Sequence, residues 1–194
     1  MLLLFLPAFA VATTLLFYRV YKAQSPTVAA PQEVARFLTF GGILNKRLRT
    51  LSLLFHMAIV TSLLGHLLMF IEEVPQPLPK IGTALGAVAA ATLALLAARR
   101  FREKDYEYLF ISLLLLLTAA TGTAMGLIAE REHVVKAALG FPQSLTLADL
   151  LLVTHVVSAT AAAVAVPYTL MSHVAAPMAY LMAKLRKTEK RRDM

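Results

Sequence analysis

The chain has no cysteine. That removes disulfides, thiolate zinc sites and any iron–sulfur cluster ligated by its own residues, and it leaves the redox compartment unread. Charge is scarce as well. Only 15% of the 194 residues are charged, 59% are hydrophobic, and mean hydropathy is +0.70. Soluble domains carry roughly a quarter charged residues, so a soluble globule of this composition could not cover its surface with polar groups. Disorder is excluded for the opposite reason, because too much apolar surface would stay wet. There is no H-E-x-x-H, no carboxylate cluster, no nucleophile constellation and no phosphate-binding loop. No aspartate or glutamate lies deep in an apolar run, which disfavours a proton-driven transporter. What is left is an integral membrane protein.

A helix crossing ~30 Å of hydrocarbon needs about 20 apolar residues. Five stretches qualify, at about 2–18, 50–71, 81–98, 108–128 and 147–172. The expected fold is all-α, a single domain over 1–194 built as a bundle of five transmembrane helices. The first stretch contains an A-x-A at Ala8 and Ala10. A signal peptide wants its basic residues before the apolar run, whereas here Arg19 and Lys22 follow it; the stretch reads as a retained span.

The net charge of +8 would suggest nucleic acid in a soluble protein. Here the basic residues sit at the ends of spans, where they set topology, and no nucleic-acid partner is expected. Sixteen of the nineteen Lys and Arg lie in the first and third connections and in the tail 174–194. Only Lys80, Arg131 and Lys136 lie in the second and fourth connections. The positive-inside rule then places the N-terminus outside and the C-terminus in the cytoplasm of a cell membrane. Residues 20–49, with Phe37, Leu38 and Phe40, read as an interfacial segment along the inner face. The tail after Pro177 reads as an amphipathic cytoplasmic helix carrying Met178, Leu181, Met182 and Leu185 on one side.

Four of the five histidines fall on spans, His173 at the cytoplasmic end of the fifth. His56 and His66 are on the second, His155 and His173 on the fifth. Ionisable residues in hydrocarbon are expensive and mark function, although a lone imidazole often does no more than bond a neighbouring helix. Depth separates the two readings. The second span runs from inside to outside and the fifth runs back, so His56 pairs in depth with His173, and His66 with His155. Two imidazoles facing each other across a bundle suit the axial ligation of a low-spin b haem, and two such pairs imply one haem near each face. Ten residues separate His56 from His66, a rise of ~15 Å, and eighteen separate His155 from His173, a rise of ~27 Å. At 100° per residue the second pair shares a face while the first is about 80° apart; Pro167 is expected to kink the fifth span and absorb part of the mismatch. Copper or zinc on the four histidines remains an alternative, although the depth separation argues against one site. Gly65, Gly122 and Gly126 with Thr118, Thr121 and Thr123 suit either a flat macrocycle or close helix packing.

Phe55-His56, nine residues, Gly65-His66, then His155 and His173 eighteen apart, resemble the gamma subunit of respiratory nitrate reductase. Its wider dihaem cytochrome b superfamily includes membrane subunits of sulfite-reduction-associated complexes, heterodisulfide reductase and some hydrogenases. The resemblance spans nearly the whole chain, most clearly residues 35–182. It implies that His66 and His155 ligate the outer haem, and His56 and His173 the inner one. Ala98-Arg99-Arg100-Phe101 resembles the family's basic end of span three, which makes Arg100 a propionate partner. Lys80 resembles the lysine of the family's quinol site, with a shorter loop before it. Pro177 and Tyr180-Leu181 resemble the tail that follows the last ligand, shifted by one residue.

What the resemblance implies is a membrane-anchor cytochrome b. It would oxidise quinol near the outer face and pass electrons through two b haems to an iron–sulfur partner subunit, the terminal catalytic site lying on another subunit of the complex. The same wire run in reverse would reduce quinone. A helical anchor without haem, or a metal transporter, are the other readings.

Overall fold

In the computed structural model, residues 1–22, 45–142 and 144–169 are described, and among these every regular element is helical. Helix α1 covers Leu2–Lys22 and α2 covers Lys46–Gly65, which continues as a 3₁₀ turn over His66–Phe70. Then follow α3 (Pro77–Glu103), α4 (Tyr106–Ile128), α5 (Arg131–Leu139) and α6 (Leu147–Thr169).

The helix ends follow from local chemistry. Asn45 caps α2 by accepting from the Arg47 and Leu48 amides at 3.0 and 3.3 Å, satisfying donors that have no partner within the helix. Pro77 and Pro79 sit in the first turn of α3, where a missing N–H costs nothing. Asp105 caps α4. Thr146 and Asp149 form a reciprocal capping box at the start of α6: the Asp149 amide donates to Thr146 Oγ1 at 3.2 Å, and the Thr146 amide donates to Asp149 Oδ2 at 3.2 Å.

Four helical stretches are long and apolar enough to cross a membrane: Lys46–Phe70, Pro77–Glu103, Tyr106–Ile128 and Leu147–Val166. They match the second to fifth expected spans; the first three begin two to four residues earlier than expected, because capped helices continue through the basic and prolyl flanks, and the last is described as far as Thr169. The first expected span is helical over Leu2–Lys22 and contains the apolar helical stretch Phe5–Leu15. Helix α5 lies within the fourth connection. Its signals were short-range ones: Glu132 in the first turn, Lys136 in the last, and Gly140 after it. The interfacial segment, the tail helix, His173, Pro177 and Tyr180 lie outside the described residues, apart from the ends of the first connection. Pro167 lies within α6.

Polarity is arranged for hydrocarbon. Large apolar side chains such as Leu53, Met57, Val60 and Leu64 face outward from α2, while the interior includes small residues such as Ala58, Ala89, Ala97 and Ala162. Hydroxyls within the spans bond the carbonyl one turn back, as Thr92, Ser112, Thr121 and Thr160 do, so they need no water. Helix α2 packs on α3, α3 on α4, α4 on α6, and α6 on α1. The α3–α4 contact is close because each glycine faces a threonine: Gly86 meets Thr123, and Gly126 meets Thr83. Helices α2 and α6 have no comparable packing on one another among the described residues.

The turn from α3 to α4 carries the only non-glycine residue at positive φ among the described residues, Lys104 at φ 57°. A left-handed conformation costs an L-residue about 1 kcal/mol, and glycine is the usual occupant at a helix C-terminus. Lys104→Gly is expected to stabilise the bundle by up to about 1 kcal/mol, read as a rise in the thermal unfolding midpoint in detergent.

Candidate functional site

Of the four span histidines, the structure brings His66 and His155 together. Their ring centroids are 5.9 Å apart and their planes differ by 11°. His66 begins the 3₁₀ turn at the end of α2, and His155 lies two turns into α6. Each ring is oriented through its Nδ1. His66 Nδ1–H donates to the Ser62 carbonyl at 2.7 Å, and His155 Nδ1–H donates to the Thr118 carbonyl of α4 at 2.8 Å. A carbonyl can only accept, so each neutral ring carries its proton on Nδ1 and keeps the lone pair on Nε2 for a metal. Second-sphere bonds of this kind fix tautomer and ring direction in histidine–metal sites.

His155 sits in a berth cut for it. A Cβ built on Gly122 would fall 2.9 Å from its Cε1 and 3.1 Å from its Nδ1, so only glycine leaves room for the ring at that point of α4. Below it, Thr118 Oγ1 donates to Ser158 Oγ at 2.8 Å, and Ser158 Oγ donates to the His155 carbonyl at 3.1 Å. That chain of hydroxyls fixes the register of α6 on α4. On the α2 side, Ser62 Oγ is the one buried side-chain oxygen or nitrogen without a partner among the described residues. The small residues of α4 therefore divide between two roles: Gly122 accommodates the imidazole, whereas Thr123 and Gly126 pack against α3.

His56 is half-buried on α2, its Nδ1–H donating to the Ser52 carbonyl at 2.7 Å, with Phe55 edge-on at 4.8 Å. Its expected partner His173 lies outside the described residues. Arg100 stands at the opposite end of the bundle from His66, already paired with Asp105 at 2.8 Å and more loosely with Glu103 at 3.8 Å, and lying 4.9 Å over the Tyr108 ring. These groups are about a third exposed, so the pairs add little stability, but an anionic ligand at Arg100 would compete with them. Lys80 is exposed in the first turn of α3 and has no hydrogen-bond or ion-pair partner among the described residues.

Sequence reasoning missed the second sphere of His155 and a second cluster. On α5, His133 Nε2–H donates to Asp149 Oδ1 at 3.1 Å, while Ser144 and Thr146 hydroxyls donate to Oδ2 at 2.8 and 2.6 Å. The Thr146-x-x-Asp149 spacing was a readable sign of the cap; the partnership with His133 was not, because sixteen residues separate them.

No group of three or more histidine, cysteine or acidic side chains placed to hold a metal occurs among the described residues. The site thus offers two parallel imidazoles and no third protein donor there. No protein-family model, curated protein or solved structure matches the chain, so its chemistry rests on these residues.

Proposed function

We propose that the chain is a membrane-anchor cytochrome b subunit of a respiratory oxidoreductase complex, of the dihaem type its histidine pattern resembles. In this reading quinol is oxidised near the outer face, and electrons are delivered to an iron–sulfur partner subunit on the cytoplasmic side. The observation that carries it is the His66–His155 pair. With metal–nitrogen bonds of ~2 Å on either side, two imidazoles sharing one metal have ring centres about 6 Å apart, which the observed spacing of 5.9 Å suits. Two donors without a third fit an iron whose remaining four positions are filled by a porphyrin, and suit less well a zinc or copper centre that draws three or four ligands from protein.

A b haem supplies reversible one-electron chemistry at its iron. The protein's own part is to hold and orient. His66 and His155 would hold the group through Nε2, their Nδ1 protons kept on the Ser62 and Thr118 carbonyls. Gly122, with no Cβ, leaves the ring the space a side chain would fill. His56 and His173 are assigned the inner haem, and Arg100 a propionate. Lys80, at the same end of the bundle as the 3₁₀ turn, is assigned to hold quinol through a cationic N–H. The end bearing Lys46, Arg47, Arg49, Arg99, Arg102 and Lys104 is read as cytoplasmic and suits an acidic partner surface.

The test is spectroscopic. The purified chain is expected to show a b-type α-band on reduction and two haems per polypeptide by pyridine haemochrome. A chain purified from haem-replete cells with neither would leave a cofactor-free anchor, and copper or zinc in place of haem iron would favour the transporter.

A further inference from the structure

The two helices that carry His66 and His155 barely touch, since α2 leans on α3 and α6 on α4 and α1. Something other than their own packing must set the distance between the rings. Helix α5 spans the gap, and its first turn holds both sides.

Arg131 reaches the end of the 3₁₀ turn. Its Nη2 donates to the Leu68 carbonyl at 2.8 Å and to the Ile71 carbonyl, and its Nη1 donates to the Glu72 carbonyl at 3.3 Å. The Leu68 carbonyl also accepts from the Ile71 amide at 3.1 Å, while the Ile71 and Glu72 carbonyls lie just past the helix end. A planar guanidinium serves several carbonyls through a rigid fork of five N–H donors, whereas an ammonium offers three donors from a single point. Leu68 is two residues past His66, so the clasp falls on the ligand's own turn. Two positions along, His133 donates to Asp149, which is 2% exposed and locked into the α6 cap by Ser144 and Thr146. Asp149 lies six residues before His155 on the same helix. Between these two polar anchors, Val134, Ala137 and Ala138 of α5 pack in one apolar cluster with Met125 of α4, Leu152 of α6 and Met69 of the 3₁₀ turn. One nine-residue helix is therefore tied by hydrogen bonds to both histidine-bearing elements and by apolar contact to the helix behind them.

We infer that α5 is a strap that fixes the spacing and mutual angle of His66 and His155, with Arg131 and His133 as its positioning residues. Neither touches the imidazoles; each acts through backbone or carboxylate on the segment that bears one. The strap itself is read from contacts alone, while its consequence for a bound iron rests on the function proposed above.

The chain lacks cysteine, so two introduced thiols can be spin-labelled without background. Phe70→Cys on the 3₁₀ turn and Leu150→Cys on the first turn of α6 both stand at exposed positions, 62% and 51%. In full-length protein in lipid nanodiscs, electron–electron distance measurements are expected to give one narrow distribution. Arg131→Gln or His133→Phe should broaden or shift it, whereas His133→Gln, whose amide still donates to Asp149, should restore it. If Arg131→Gln does not fold, Arg131→Lys, which keeps the charge and loses the fork, replaces it and should broaden the distribution to a smaller extent. On the same samples, the low-spin g values of the haem assigned to His66 and His155 should move with the distance change, since they follow the angle between axial rings. An unchanged distribution in folded Arg131 and His133 variants overturns the strap. If the parent chain carries no haem, the functional reading fails, and the distance distribution still decides the strap.

Discussion

His66→Ala and His155→Ala, made singly, are each expected to halve the haem content of the purified chain and to abolish quinol oxidation by membranes that contain it. The loss should be complete for one haem rather than graded, because an imidazole has no substitute nearby: no third metal-ligating side chain clusters with the pair among the described residues. Both variants should keep their helix content, since His66 is exposed and His155 only partly buried, and alanine is tolerated in either helix. Double substitution should remove no more haem than either single one, the signature of two groups acting as a unit. His56→Ala should remove the other half. The measurements are pyridine haemochrome stoichiometry, circular dichroism and quinol-dependent dye reduction. Retention of both haems in His66→Ala and in His155→Ala would sink the assignment.

Gly122→Leu should have nearly as large an effect from a residue with no chemistry of its own. Even a Cβ at this position lies 2.9 Å from His155 Cε1, and the remaining three carbons would occupy the space of the ring. His155 would have to leave its bond to the Thr118 carbonyl, and loss of the outer haem is expected. Gly126→Ala is the control. It collides with Thr83 instead, so it should lower stability by about 1–3 kcal/mol through overpacking of α3 on α4 while both haems stay bound. Spectra and unfolding midpoints separate the two. Equal haem loss in both variants would mean that Gly122 is no more than a packing residue.

The sequence made the class and the four longest spans legible because each rests on a strong local signal, a run of apolar residues longer than a soluble helix needs to be. It made His66 and His155 legible as a pair because antiparallel helices map sequence position onto depth. Other features were hidden for physical reasons. Thr118 acts through its backbone carbonyl, an atom every residue possesses, so its identity carried no signal. Gly122 and Gly126 look alike in sequence and stand only about 40° apart around α4, yet one turn of helix separates the first, which meets His155 of α6, from the second, which meets Thr83 of α3. Arg131 read as a topology charge, and its three carbonyl partners, some sixty residues away, become neighbours only once α5 folds. Arg100 read as a propionate partner; that Asp105 and Glu103, just beyond it, also pair with it shows only once the turn is folded.

The one-sided seating of α2 bears on how such a protein is made. Helices α3, α4 and α6 can dock on one another with His155 already turned by Thr118 and Ser158, giving a finished half-socket before its counterpart is fixed. Under the proposed function, an incoming flat, greasy molecule would meet a finished wall on one flank and, on the other, a helix seated mainly on α3. Biogenesis then needs no prying apart of a completed bundle: the rod bearing His66 can close last, from the lipid side, and be latched.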